Sequence, residues 1–140
     1  MEIVAYARSM IGTPFQHQGR LAGHAMDCGG VVEGVADHFG IKPEGFVFEG
    51  YSTFPRPKFV FSMLTKYLGF VGGLKNGLPA DVLLVADHGY AMHLGILAER
   101  DCYRTIIHSS RKDGGVTEHI IDAAFEREVR SVWRYPGVTD

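Results

Sequence analysis

The chain has few cysteines, no excess of positive charge and no long apolar run, and each absence excludes a class of protein. Two cysteines in 140 residues are too few for a disulfide framework, and we interpret them as reduced thiols, although one disulfide stays open. Lys and Arg total 14 against 16 Asp and Glu, so we expect no nucleic-acid partner. No segment approaches the ~18 apolar residues that span a bilayer, so we expect no membrane insertion.

The composition that remains is typical of a globular protein. The hydrophobic fraction is 46% and the charged fraction 21%, and a chain of 140 residues can bury a core of its own. We therefore predict a single domain over residues 1–140. Residues 1–8 lack the basic stretch and apolar run of a secretory signal, which predicts a protein that is cytoplasmic as synthesised.

Hydrophobic spacing predicts three helices in the first half of the chain. They cover residues 3–11, 27–39 and 58–70, with Asp27 as the N-cap of the second. The connecting segments, 13–26 and 41–57, are rich in glycine or proline and are predicted to be irregular loops. The aromatic residues of 46–61 either line a cleft or form a protein interface.

The second half of the chain predicts short strands. Their bounds are 81–86, 92–97, 103–109, 116–121 and 129–135. Helices followed by strands indicate the α+β class, with helices packed on an antiparallel sheet. Trp133 and Tyr135 in the last strand are predicted to be core residues, and Cys102 to be an exposed thiol in a turn between strands.

Cys28 is the first candidate catalytic residue. It lies in Asp27-Cys28-Gly29-Gly30, where the loop passes into the second predicted helix. The first N–H groups of a helix have no intrahelical partner, and the helix dipole is positive there, so a thiolate is stabilised at this position. The two glycines leave space beside the sulfur for a substrate carbonyl. The alternative is a small buried hydrophobic residue on a helix face.

A nucleophilic thiol needs a base, and a third group to orient that base. Of the seven histidines, we single out His93 and His108, which lie in neighbouring predicted strands. The intervening residues are enough for a turn that places the two strands side by side. One ring would then act as the base while the other accepts the proton of its far nitrogen. The alternative is two histidines that hydrogen-bond to the backbone.

These residues resemble a known family, the NlpC-type cell-wall peptidases. Its N-terminal signature, Gly-Thr-Pro-aromatic followed by Asp-Cys-Ser-Gly at a helix start, is similar to residues 11–15 and 27–30. Its Gly-Asp-Leu, His-Val-Gly-Ile and His-Ala-Ser strands are similar to residues 80–84, 92–97 and 107–110. The resemblance covers about residues 1–135 in order. The sequence from Gly12 to Arg20 is most similar to members encoded by phages and gene transfer agents.

The resemblance implies a minimal papain-like fold and hydrolysis of an amide bond in peptidoglycan stem peptides, commonly between D-glutamate and a diamino acid. Cys28 would be the nucleophile, His93 the general base and then acid, and His108 the residue that orients His93. The family implies no cofactor and no metal. The expected partner is a peptidoglycan peptide or a related amide, together with other tail proteins if the protein is associated with a phage tail or virion.

Two departures from the family pattern affect the surroundings of the nucleophile, which we expect to include Phe15, Gln16, Asp27 and Gly29. Phe15 replaces a common tyrosine, so a hydroxyl donor to the tetrahedral intermediate is missing. Such a donor is worth about 3–4 kcal/mol in a well-studied enzyme. Gln16, His17 and Gln18 are candidates to replace it. Gly29 replaces a serine, which leaves the backbone N–H in place.

Two other classes of function stay open at this point. One is a non-catalytic structural or binding module on the same fold, which Phe15 favours. The other is a zinc hydrolase, because histidines are numerous, although no His-Glu-x-x-His or Cys-x-x-Cys motif is present. Arg20 and Arg111 are candidates for binding an acidic substrate at the cleft rim, or else ordinary surface residues.

Overall fold

Four helices and eight strands are present in the part of the chain that the computed structural model describes, which is residues 2–16, 20–21, 23, 25–42, 44, 57–87 and 89–138. The helices are α1 (Glu2–Ser9), α2 (Cys28–His38), α3 (Pro57–Tyr67) and α4 (Ala123–Glu126). The strands are β1 (Arg20–Leu21), β2 (Ala25–Met26), β3 (Gly69–Gly72), β4 (Val82–Asp87), β5 (Tyr90–Arg100), β6 (Tyr103–Ser110), β7 (Gly115–Ile120) and β8 (Val129–Arg134).

Helix α2 has the ends that the sequence predicts. Asp27 is the N-cap, and its carboxylate accepts a hydrogen bond from the backbone N–H of Gly30 at 2.8 Å. At the other end Gly40 has a φ of +66°, a conformation that glycine adopts without strain and that stops a helix. The side chain of Cys28 is therefore held at a capped helix N-terminus.

Helix α3 ends earlier than predicted. It stops at Tyr67, and residues 69–72 form strand β3, which pairs antiparallel with β8. Glycine at both ends of this segment weakens a helix, and pairing with β8 gives the extended backbone its hydrogen bonds. Phe70 packs edge-on against Trp133 with ring centroids 5.3 Å apart. A tertiary partner thus overrides the apolar spacing that favoured a helix.

The sheet has six strands in the order β3-β8-β4-β5-β6-β7, with every neighbouring pair antiparallel. All five predicted strands are present, so the predicted α+β class with N-terminal helices and a C-terminal antiparallel sheet is confirmed. The sequence analysis missed β3, the two-residue strands β1 and β2, and helix α4. Each of these is too short to produce a recognisable hydrophobic period.

The two faces of the sheet carry different apolar clusters. Helices α1, α2 and α3 cover one face and form the larger cluster, which includes the buried Leu94, Ile96 and Ile107. The smaller cluster on the other face includes Leu97 and Ile106, with Phe125 of α4 packed against it. This alternation along β5 and β6 is that of a sheet covered on both faces.

Trp133 and Tyr135 of the last strand and its continuation are core residues, as predicted. Trp133 and Tyr135 are both buried, and the Tyr135 hydroxyl donates to the carbonyl of Val32 in α2 at 2.7 Å. The expected irregular loop falls mostly on residues 43 and 45–56, which lie outside the described residues. Within the described part of the chain the longest helices have 11 residues, and none is long and apolar enough to cross a membrane.

Cys102 lies in the turn between β5 and β6, as predicted, and is exposed. Asp101 and Cys102 are the two residues between the paired Arg100 and Tyr103, and both have positive φ, +52° and +69°. This is the pattern of a type I′ hairpin turn, which favours Asn-Gly or Asp-Gly. A left-handed conformation costs a residue with a Cβ about 1–2 kcal/mol.

We expect the substitution Cys102→Gly to raise the free energy of unfolding by about 1 kcal/mol, because it relieves this strain. Chemical denaturation measures the change. Lys112→Gly is the matched control, since Lys112 is an exposed turn residue without a positive φ and should lose stability instead. Equal effects of the two substitutions would contradict the strain argument.

Candidate active site

Cys28 is the first residue of α2, and its side chain is half-buried. Both cysteines are free, so the disulfide that the sequence left open is absent. The thiol packs against the larger apolar cluster on one side and keeps part of its surface accessible. The N-terminus of α2, where the helix dipole is positive, provides a favourable place for a thiolate.

His93 and His108 are in direct contact. Nε2 of His93 lies 2.6 Å from Nδ1 of His108, and the ring centroids are 4.9 Å apart at an interplanar angle of 73°. The ladder between β5 and β6 pairs Ile96 with Ile107, so the two rings meet diagonally across neighbouring strands. The side-by-side strands that the sequence predicts are therefore present, with the two rings hydrogen-bonded.

Gly95 makes this contact possible. A Cβ at position 95 would lie 2.5 Å from Cδ1 of Ile106 and 3.1 Å from Cβ of His108. A larger residue would overlap the Ile106 side chain and press on Cβ of His108, so β6 or its side chains would have to shift.

A β-bulge lies immediately before His93. The ladder pairs Val85 with His93 but Ala86 with Ala91, so β5 carries one extra residue at this point. Bulges of this kind bend a strand and re-aim the neighbouring side chain. The orientation of the His93 ring is therefore set by local strand geometry as well as by its hydrogen bond.

His119 is a third ring in the same chain of contacts, and sequence reasoning missed it. Its Nε2 lies 2.9 Å from Nε2 of His108, and its Nδ1 lies 3.1 Å from the backbone carbonyl oxygen of Ile120. The signal was available, because His119 also lies inside a predicted strand, 116–121. What the sequence could not show is the register, which pairs His119 with Ile106 and so brings it to the face that carries His108.

His108 is held in the neutral form. Its side chain is buried, with 4% of the residue exposed. Desolvation, together with charge repulsion from the nearby His93 and His119 in their protonated forms, lowers its pKa to about 2. A neutral imidazole has one donor and one acceptor nitrogen, so His108 can accept from one neighbour and donate to the other.

The start of α2 is fixed beside His108. The hydroxyl of Ser109 donates to the carbonyl of Met26 at 2.7 Å, and both residues are buried. Cys28 follows Met26 by two residues, a length of chain that spans at most about 7 Å. The thiol and the histidine pair therefore lie at the same end of the sheet.

The thiol and the rings belong to opposite faces at this end. Cys28 packs against the helix-covered cluster, whereas His93 pairs with Val85, a member of the smaller cluster. A contact between the sulfur and the His93 ring must therefore be made around the end of the sheet, where the bulge lies.

The other residues predicted near the nucleophile are placed around Met26. Phe15 forms a bridge with Met26, and the backbone N–H of Gln16 donates to the carbonyl of Met26 at 3.2 Å. Gly29 is buried in the first turn of α2, next to the capping carboxylate of Asp27. His17 and Gln18, and the side chain of Arg20, lie outside the described residues.

Arg111 is a basic residue that lies against Phe15. Its guanidinium carbon lies 5.2 Å from the centroid of the Phe15 ring, a distance typical of a cation–π contact. Arg111 is exposed, so the guanidinium is available to an anionic ligand while the ring holds its position.

One group among the described residues has the donor types and spacing of a metal site. It consists of His108, Asp113 and His119, whose donor atoms lie within 4.8 Å of one another. Cys28 and His93 do not belong to it. One of the two Nε2 atoms carries the proton of their hydrogen bond, so a metal ion bound here would have to displace that proton, and Asp113 is exposed.

Burial of a neutral His108 predicts a specific dependence of stability on pH. Below about 6.5 the unfolded chain takes up a proton at this residue, while the folded chain, with a pKa of about 2, does not. The free energy of unfolding should therefore fall as the pH drops, by about 2 kcal/mol between pH 6.5 and pH 5 from His108 alone.

Chemical denaturation at pH 7 and pH 5 measures this loss, and the variant His108→Asn should lose correspondingly less over the same interval. Glu118 does not interfere, because the pKa of its carboxyl falls from 4.5 to about 2: burial opposes this shift, but hydrogen bonds from Arg8, Thr105 and Arg100 outweigh it. Its contribution is lost only below about pH 4.5. Identical pH dependence in wild type and variant would contradict the burial argument.

Comparison with known proteins gives a similar fold but no sequence match. No protein-family model matches the chain, and no curated protein matches its sequence. Among solved structures, the chain is similar to the NlpC/p60 domain of the peptidoglycan hydrolase SagA, with a TM-score of 0.63 and 20% sequence identity over 94% of each chain. The predicted papain-like α+β fold is thus confirmed.

Proposed function

We propose that this protein is a cysteine hydrolase of the NlpC/p60 type that cleaves an amide bond in peptidoglycan stem peptides, at a bond of the D-glutamyl–diamino acid kind. The hydrogen bond between His93 and His108 carries this proposal, because it provides an oriented base at the end of the sheet where the thiol-bearing helix begins. The fold shared with a domain of a peptidoglycan hydrolase supports the substrate class.

In the proposed reaction, Nδ1 of His93 takes the proton of the Cys28 thiol and the thiolate attacks the substrate carbonyl carbon. The N–H of Cys28 at the start of α2 stabilises the oxyanion. The C–N bond then breaks as His93 returns the proton to the leaving amine. A water molecule, deprotonated by His93, hydrolyses the thioester and regenerates the thiol. His108 accepts from Nε2 of His93 throughout and keeps the ring in place.

An acidic peptide suits Arg111, a cation next to the proposed cleft. Arg111 lies over the Phe15 ring, and Phe15 is in turn bridged to Met26. A substrate carboxylate bound by Arg111 would therefore lie beside Phe15, which is bridged to the residue two positions before Cys28.

Phe15 also favours a second candidate, a non-catalytic or weakly active module on the same fold, for example a structural component of a phage or gene-transfer-agent tail. A phenylalanine offers no donor to the tetrahedral intermediate. The guanidinium of Arg111 lies over the Phe15 ring. The two candidates differ in the reactivity of Cys28.

We expect iodoacetamide at neutral pH to label Cys28 at least tenfold faster than Cys102, because a thiolate paired with His93 is the reactive form. Mass spectrometry of the labelled peptides gives both rates in one sample, with the exposed Cys102 as the internal control. His93→Gln should slow the labelling of Cys28 and leave that of Cys102 unchanged. Slow labelling of Cys28 in the wild type would favour the module.

Cleavage of purified peptidoglycan peptides should require the same thiol. The variant Cys28→Ala should lower kcat by at least 1000-fold, since it removes the proposed nucleophile that forms the acyl intermediate. Cys102→Ser is the matched control and should keep full activity. Activity that survives in Cys28→Ala, or that disappears with a chelator, would overturn the cysteine mechanism.

Restoring the missing hydroxyl should increase activity. We expect Phe15→Tyr to raise kcat at least tenfold, because one oxyanion donor is worth about 3–4 kcal/mol where it is well placed. Phe70→Tyr, at an exposed position on the edge strand, is the control and should have no effect. An unchanged kcat in Phe15→Tyr would mean that another group already supplies the donor.

A further inference from the structure

We propose that His119 is a positioning residue, and that the backbone carbonyl of Ile120 acts through it to fix the proton positions on all three histidine rings. The inference rests on the proposed function for its catalytic consequence, but its structural content stands on the hydrogen bonds between the rings and on the burial of His108. It extends the site by one ring and one backbone group beyond Cys28, His93 and His108.

The proton positions follow from one end of the chain of hydrogen bonds. A carbonyl oxygen only accepts, so Nδ1 of His119, 3.1 Å from the Ile120 oxygen, carries a proton. In neutral His119, Nε2 is then an acceptor, and the proton in its 2.9 Å contact belongs to Nε2 of His108.

The proton position on His93 follows from that on His108. Because neutral His108 carries its proton on Nε2, its Nδ1 accepts, and the proton in the 2.6 Å contact belongs to Nε2 of His93. Nδ1 of His93 is left with its lone pair. A general base for Cys28 needs this tautomer, since the opposite one would present an N–H to the sulfur.

Two features hold His119 in the orientation that this requires. The Phe125 ring packs edge-on against His119 with centroids 5.0 Å apart and also contacts His108 at 6.1 Å. The carboxylate of Asp122 caps α4 by accepting from the N–H of Phe125 at 2.8 Å. A short helix is thus fixed so that its aromatic residue holds the outer ring.

These proton positions require that His108 is neutral. A doubly protonated ring would donate at both nitrogens and could not accept from His93. Burial opposes that charge strongly, as its lowered pKa of about 2 indicates. The tautomer of His119 therefore determines that of His108, and through it that of His93, while His108 stays neutral.

Nitrogen-15 NMR of histidine-labelled protein reads the tautomers directly. We expect the proton on Nδ1 of His119 and on Nε2 of His108 and His93, measured at pH 8 in the variant Cys28→Ala so that His93 is neutral. Single His→Gln variants assign the signals. A proton on Nδ1 of His108 or of His93 would overturn the inference, whatever the activity of the protein.

Substitutions at position 119 test the functional part. His119→Gln keeps an acceptor for His108 and should stay within about threefold of the wild type in kcat. His119→Leu removes the acceptor and should lower kcat by 10- to 100-fold, the usual effect of losing such a support, with little change in KM. His119→Lys offers only donors, favours the opposite tautomer and should lower kcat at least as much as leucine.

Thr117→Val is the matched control on the same strand, because the buried Oγ1 of Thr117 has no hydrogen-bond partner to lose. It should keep the activity of the wild type. Equal kcat values for the glutamine, leucine and lysine variants would overturn the positioning role. So would stoichiometric zinc in the wild type that the leucine variant lacks, since His108, Asp113 and His119 would then be metal ligands.

The two proposals fail in different ways. If Cys28 reacts slowly and no peptide is cleaved, the proposed function fails. The NMR tautomers and the labelling rate of Cys28 in the position-119 variants then still test the positioning role of His119. If Cys28 is reactive and the peptide is cleaved but the tautomers are reversed, the positioning role of His119 fails and the proposed function stands.

Discussion

A buried histidine that must stay neutral is the constraint on which the site depends. His108 lies between two other imidazoles, and its burial together with charge repulsion from them lowers its pKa to about 2. A neutral ring has one donor and one acceptor, so whichever nitrogen carries the proton determines what both neighbours can do. Gly95, the bulge before His93 and the packing of Phe125 all serve to bring or hold the rings in contact with it.

The thiol depends on a second constraint, the placement of α2. The helix is capped by Asp27, tied to the sheet through the Ser109–Met26 hydrogen bond, and anchored in its middle by the Tyr135 hydroxyl on Val32. These contacts come from distant parts of the chain, and they direct the helix N-terminus toward the end of the sheet that carries the histidines. A rigid scaffold of this kind would hold the proposed nucleophile and base in place with little cost in entropy when substrate binds.

Much of this could be predicted from sequence because the signals are local. The cap and stop of α2, the five longer strands and the exposed turn at Cys102 each follow from residue types within a few positions of one another. The prediction was wrong where a tertiary partner decided the outcome: residues 69–70 have the spacing of a helix end but pair with β8, because an unpaired edge there offered backbone hydrogen bonds and Trp133. His119 was missed for a similar reason, since its face is set by strand register.

The sequence by itself determined that a thiol stands at a helix start and that two histidines stand in adjacent strands, because caps, glycines and alternation are properties of short segments. Only the tertiary structure decided that the rings touch, that a third ring and a backbone carbonyl continue the chain, and that the central ring is neutral. Register, burial and desolvation are properties of the packed molecule, and no short stretch of sequence contains them.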